Sequence, residues 1–285
     1  MQKLSARVTV LEAELSEIRL LLERQTGVLV DTSSDKLCEA VSGYVEKRRL
    51  SSTQELLEVL RSSDDDSDCL AEHVLDGETG FFHYPEAFEF LAKTALPEMQ
   101  LRKPGENPFN LRIWSAGCSS GEEAYSIAIT ICEALNGGGS WNINVVGSDL
   151  RREALETAER GLYPQSELQH LPRALVQKYF AKVGEHFLTK PRIRNLVSFA
   201  PTNLAKPHYI GRFDCIFCMK VMSQFSASQR ASLVHRLHLY LQPGGYLFLG
   251  QCEKLPATDA NFQIQSTPDY TVYRKPMAAA AGFGG

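Results

Sequence analysis

The sequence predicts an α/β chain built on a doubly wound parallel sheet, preceded by a helical region. Three observations carry that reading. Residues 111–126, LRIWSAGCSSGEEAYS, pass from an apolar run into small residues and glycine, then into a helix-like pattern opened by Glu122 and Glu123. This order reads as strand, tight glycine loop, helix. A second apolar run at 143–146 ends in Gly147-Ser148-Asp149, and strand patterns resume at 196–199, 213–217 and 246–249 with a helix over 227–241 among them. Before all of these, residues 3–24 repeat at helical spacing.

Length and composition bound the function. With 285 residues, of which 44% are hydrophobic, the chain can bury a core for one large domain and a smaller one. A net charge of −4 gives no electrostatic case for nucleic acid. No apolar run approaches the roughly 18 residues of a membrane span, and the N-terminus lacks a signal-peptide pattern. Cytoplasmic residence is the resulting expectation. Seven cysteines, an odd number at irregular spacing, fit reduced thiols better than a disulfide framework. Cys215 and Cys218 form a C-x-x-C inside the strand-like FDCIFC, where an offset of three sends the side chains to opposite faces. No metal site is expected there.

In chain order, Leu4, Val8, Leu11, Leu15, Ile18 and Leu22 form an a/d seam of about three heptads. The seam is either a short dimerising coiled coil or an amphipathic helix lying on its own domain, and the sequence leaves both open. Thr26-Gly27 ends it. A more polar helical region follows to about residue 61, with Leu37, Val41, Tyr44 and Val45, then Leu56, Leu57 and Leu60, at helical spacing. Ser51, Ser52 or Thr53 can cap the second of these helices. The acidic run SSDDDSD at 62–68 reads as a solvated loop, since no EF-hand glycine or closing glutamate follows. A helix is predicted over 85–99, turns at 105–108 and 137–139, and a turn at Pro243-Gly244-Gly245. Residues 262–265 and 270–273 supply a closing antiparallel pair, and the tail from 277 is small and apolar.

The loop at 115–121 carries the chemistry. Small residues let a ligand approach the backbone, and the first helical turn offers unpaired N–H groups. Two glutamates in that turn would repel a polyphosphate. No Lys-Ser or Lys-Thr pair follows the last glycine, and the spacing is not G-x-G-x-x-G. An acidic glycine loop suits a cationic ligand, and S-adenosylmethionine (SAM), with a sulfonium and an ammonium, is one. Asp149 stands where a doubly wound fold bonds a ribose hydroxyl, or else caps the following helix.

Several segments together resemble the CheR-type chemotaxis-receptor glutamate methyltransferases. They are Thr79-Gly80-Phe81-Phe82, WSAGCSSGEEAYS at 114–126, Gly147-Ser148-Asp149, Gly161-Leu162-Tyr163, Gln177-Lys178-Tyr179-Phe180, Asn203-Leu204, FDCIFC and PGGYLFLGQCEKL at 243–255. The resemblance implies a Rossmann-like SAM domain over 100–275, an inserted β-subdomain at 161–196, a helical domain over 26–99 behind the 1–25 helix, and a disordered tail at 276–285. It implies methyl transfer from SAM to a receptor glutamate carboxylate, with S-adenosylhomocysteine as product. A carboxylate is ionised at neutral pH, so no general base is needed. The cofactor residues it implies are Thr79, Gly117, Glu123, Asp149, Asn203, Leu204, Lys220 and Val221, with no metal.

The methyl-transfer centre departs from the family pattern. Gly77 stands where the family has asparagine, and His83 where it has arginine. The family's Arg-Asn-Val-x-x-Tyr-Phe is here Met219-Lys220-Val221-Met222-Ser223-Gln224-Phe225. His83 and Gln224 are therefore the expected catalytic positions. Residues 31–76 hold twelve acidic and five basic residues, a net of −7, which opposes docking on an acidic receptor through that region. The expected function is an active methyltransferase acting on an acceptor protein, with a homodimer through 3–24 following from the coiled-coil reading of the seam. A catalytically degenerate SAM-binding scaffold is the alternative, and a small-molecule or nucleic-acid methylase ranks last.

Overall fold

The computed structural model describes residues 11–30, 32–74, 79–102, 109–135, 141–206, 211–255 and 261–277. The anticipated turns at 105–108 and 137–139, residue 77, and seam positions 4 and 8 lie outside them, as does the tail beyond 277. The chain divides into two compact units, residues 1–77 with 223–231, and residues 78–222 with 232–285.

The first unit holds helices α1 (Glu12–Thr26), α2 (Ser34–Arg48), α3 (Thr53–Ser62) and α4 (Asp64–Val74). Its core draws on Leu15, Ile18, Leu22, Leu37, Val41, Leu56, Leu60 and Leu70. Three described residues of the predicted seam are therefore already buried against their own unit, while Leu11 and Leu20 are exposed. Over the described part, the apolar side of α1 at Leu15, Ile18 and Leu22 packs within its own unit. The acidic run is a correction, because it forms the start of α4 rather than a loop. Ser63 Oγ accepts the Asp66 N–H at 3.2 Å, and carboxylates suit the positive end of a helix dipole. Asp66 also accepts from the Tyr44 hydroxyl at 2.8 Å and pairs with Arg48.

The second unit opens with α5 (Pro85–Phe90), a π turn at Leu91–Ala95 and α6 (Leu96–Arg102). Pro97 explains the π turn. Its ring would strike the carbonyl four residues back, so the helix widens and the Leu96 N–H reaches Leu91 O. There follow β1 (Phe109–Ala116), α7 (Glu122–Ala134), β2 (Trp141–Asp149) and α8 (Arg152–Arg160). Next come β3 (Leu162–Pro164), α9 (Gln165–Leu168), α10 (Arg173–Tyr179), β4 (Phe180–Val183), β5 (His186–Thr189) and α11 (Pro191–Arg194). The chain closes with β6 (Val197–Pro201), β7 (Phe213–Cys218), a single 3-10 turn at Met222–Gln224, α12 (Ala227–Tyr240), β8 (Leu241–Leu249), β9 (Gln263–Ser266) and β10 (Thr271–Arg274).

The main sheet runs β6-β2-β1-β7-β8-β10-β9, and β3, β5 and β4 make a separate three-stranded sheet. Neighbours from β6 to β8 pair in parallel, while β10 pairs antiparallel with β8 and β9. The doubly wound α/β fold is thus observed. Pro243-Gly244-Gly245 differs from the predicted turn: it lies inside β8, where the pairing slips between Phe213/Leu241 and Cys215/Tyr246. The slip leaves Gly244 N–H and Gly245 C=O to bond the Lys275 main chain, each at 2.9 Å. β7 is buried along its whole length, so Cys215 and Cys218 are inert core thiols. Strand order reverses between β1 and β7, and at such a switch point the carboxyl ends of the strands diverge into a crevice.

Candidate functional site

At that crevice β1 ends in Ser115-Ala116 and turns through Gly117, whose φ is +83°. A Cβ there would lie 2.4 Å from Val221 Cγ2, so both backbone conformation and space require glycine. The N–H groups of Gly117 and Cys118 both bond Ser148 O, at 2.7 and 2.8 Å. Ser119 is left-handed too, with φ +51°. Its N–H donates to Asp149 Oδ2 at 2.8 Å, and its hydroxyl accepts from Arg151 Nη2 at 2.7 Å. Asp149 Oδ1 meanwhile takes the Arg151 N–H at 2.9 Å and Nε at 3.3 Å. The helix-capping alternative fails, because α8 is capped by Arg151 without a side-chain bond. Asp149 instead braces the loop after β1, and Oδ2, which takes one donor, keeps a lone pair for another.

The two glutamates that open α7 have different partners. Glu122 is buried, takes the Ser120 hydroxyl at about 3 Å and receives a hydrogen bond from the Thr79 side chain. Burial nevertheless lifts its pKa. Glu123 Oε1 accepts from Ser115 Oγ at 2.6 Å. Its pKa is pushed up to about 7, chiefly by burial, with the charge of Glu253 adding to the Ser115-opposed rise. Nothing basic enters that balance. A positive charge brought beside such a carboxyl favours its ionised form and is stabilised by it.

The Thr79-Gly80-Phe81-Phe82 segment is pinned from three sides. Phe82, with φ +52°, donates its N–H to Ser126 Oγ at 3.0 Å. Phe81 O takes a hydrogen bond from His170 at 2.7 Å, and its buried ring meets Tyr163 and Phe180 edge-on. His83 then stands exposed, its ring 4.7 Å from Tyr84. Beyond β6, the Thr202 N–H bonds Asp149 O at 2.9 Å and carries Asn203-Leu204 past the end of β2. Asn203 Oδ1 accepts the Ala205 N–H at 2.9 Å. A small cavity of about 10 Å³ lies beside this segment, lined among others by Trp114, Asn203 and Leu204. Lys220, at φ +59°, leads from β7 into Val221. Gln224 belongs to the first unit, where its carbonyl accepts the Leu29 N–H at 2.6 Å.

The second unit therefore gathers Thr79, Gly117, Glu123, Asp149, Asn203, Leu204, Lys220 and Val221 around the carboxyl ends of β1, β2 and β7. Sequence reasoning missed the bracing groups: Ser115, Ser119, Glu122, Arg151, and Tyr163, whose hydroxyl donates to Ser120 O at 2.7 Å. It also missed Glu253. Each is an ordinary polar residue in the sequence, and only the Gly250-x-x-Glu253 spacing hinted at a closed turn.

The sequence matches the family described as "CheR methyltransferase, SAM binding domain" over residues 77–271. The chain belongs to the CheR methyltransferase family. It is 32% identical over 267 residues to the chemotaxis protein methyltransferase Cher2 of Pseudomonas putida, covering 90% of this chain and 95% of that one. Chemotaxis protein methyltransferase 1 of Pseudomonas aeruginosa is 32% identical over 92% of this chain and 97% of its own length. The Escherichia coli chemotaxis protein methyltransferase is 30% identical over 95% and 94%. The chain is accordingly a SAM-dependent methyltransferase. Its site fits the cofactor on structural grounds: a glycine turn too tight for any side chain, a carboxylate oxygen with a spare lone pair at the end of β2, and a half-buried glutamate, Glu123, at the start of α7. Among the described residues no helix is long and apolar enough to cross a membrane, and no cluster of potential metal ligands occurs.

Proposed function

We propose that this chain methylates glutamate carboxylates on a chemoreceptor-like helical bundle. The naming of its relatives supports the acceptor class, and the observation that carries the reading is Glu123, a half-buried carboxyl beside the glycine turn, held there by the Ser115 hydroxyl. When bound, SAM supplies an electrophilic methyl group on a sulfonium. Glu123 faces its cationic end, Asp149 accepts from the ribose, and Asn203-Leu204 flank the adenine. Thr79 acts through Glu122, and Gly117 with Val221 sets the width of the slot. The acceptor carboxylate is already ionised, so these residues need only align it and exclude water. His83 is the group of the second unit proposed to meet it.

Charge supports docking through the inserted sheet rather than the helical region. Residues 161–196 carry six basic side chains, Arg173, Lys178, Lys182, Lys190, Arg192 and Arg194, against Glu167 and Glu185. An acidic bundle is attracted there and repelled by residues 31–76. Incubation with methyl-tritiated SAM and receptor-bearing membranes should label the receptor with base-labile methyl ester. Labelling of no protein, while an active relative labels the same membranes, would sink this reading.

A further inference from the structure

The Glu253 carboxylate ties together the exits of two neighbouring strands. One oxygen, Oε2, accepts the Lys220 N–H beyond β7 and the Gly250 N–H beyond β8, both at 2.9 Å. Its own N–H returns to Gly250 O at 2.8 Å. A Cβ on Gly250 would lie 2.9 Å from that same Oε2 and 3.1 Å from the Lys220 nitrogen. The pocket for the carboxylate is thus formed by the absence of a side chain at 250. What it holds is costly to hold otherwise. Lysine in the left-handed region is disfavoured by roughly 1 kcal/mol or more, and the next residue is Val221, whose methyl group rests over Gly117.

We propose that Glu253 is a positioning residue of the SAM site: its carboxylate clamps Lys220 in the left-handed turn that seats Val221 over Gly117, and so sets the slot between the turns after β1 and β7. This rests on the reading of those turns as the SAM site. The charge has a second consequence, because Glu253 and Glu123 face one another electrostatically. The other titratable groups around them include Tyr84 before α5, Glu86 on α5, Cys118 in the loop after β1, Glu122 on α7, Cys218 on β7, Cys252, and Tyr270 before β10. The Tyr270 hydroxyl bonds Leu249 O. None of these is cationic, and Lys220 is the basic side chain on the adjoining turn.

Three variants separate clamp from charge. Glu253→Gln keeps an oxygen able to accept both N–H groups and should leave S-adenosylhomocysteine affinity within about threefold of wild type by calorimetry. Glu253→Ala removes the acceptor and should weaken it by about thirtyfold. Adding Lys220→Asn to Glu253→Ala should recover at least threefold, since asparagine tolerates the left-handed region. Carboxyl NMR should show Glu123 titrating at lower pH in Glu253→Gln. Unchanged affinity in Glu253→Ala, or equal losses in the Ala and Gln variants, overturns the clamp. If wild type binds neither SAM nor its product, the functional reading fails, and the clamp is judged on ligand-free protein. There the Lys220 amide should exchange with deuterium at least tenfold faster in Glu253→Ala, and an unchanged rate overturns the proposal. Should Glu253→Ala not fold, Gly250→Ala, which displaces the carboxylate, takes its place in both measurements.

Discussion

The turn after β1 and the turn after β7 both leave the sheet through a left-handed residue, and they reach that conformation by opposite means. At Gly117 there is no side chain to oppose it, and Val221 fills the space a side chain would need. At Lys220 a side chain is present, and the backbone is held from outside by the Glu253 carboxylate. The first turn is fixed by what the residue lacks, the second by what a distant residue supplies. A glycine turn is therefore readable in sequence, while a clamped turn is not.

The comparison breaks most sharply at Gly117. Gly117→Ala brings a methyl group 2.4 Å from Val221 Cγ2 at a positive φ, and should lower SAM affinity by more than a hundredfold in calorimetry while the helical unit still melts normally. Retained affinity would show that the turn tolerates a side chain and that the contrast is false. Next in size is the brace. Asp149→Ala frees the Ser119 and Arg151 N–H groups together, and a loss of about thirtyfold or more in SAM affinity is expected, since buried hydrogen bonds to a charged group are worth roughly 1.5–3 kcal/mol each.

A pH series comes third. Glu123 has a raised pKa of about 7, and a cationic ligand prefers its ionised form. Binding should thus release a proton near pH 6, and SAM affinity should rise about tenfold between pH 6 and 8. Glu123→Gln should flatten the profile. For the ligand-free protein the sign is reversed. A carboxyl whose folded pKa is raised takes up protons on folding between the ordinary value of 4.5 and about 7, so its contribution to stability declines as pH rises through that window. Smallest is Lys220→Asn alone, which should raise stability by about 0.5–1 kcal/mol in urea titration by easing the left-handed backbone. No change would mean that the Glu253 clamp already removes the penalty.

How much was legible depended on whether a residue's role was local. The helix–strand order, the switch-point crevice and the glycine loop followed from periodicity and from Gly117, because they reflect contacts within a few residues. The acidic run was misjudged for an equally local reason, as Ser63 caps a helix that acidic residues favour. The seam at 3–24 was ambiguous because amphipathic spacing says that a face is buried, not against what; Leu15, Ile18 and Leu22 are buried in their own unit.

By itself, the sequence determined the α/β class, the SAM loop, the cationic character of its ligand and the family. The tertiary structure alone decided that Asp149 braces Ser119 thirty residues away, that burial raises the Glu123 pKa, and that Glu253 accepts the Lys220 N–H across thirty-three residues. Hydrogen bonds and burial between distant strand ends leave no periodic trace in a sequence. They exist only once the sheet has brought those ends together.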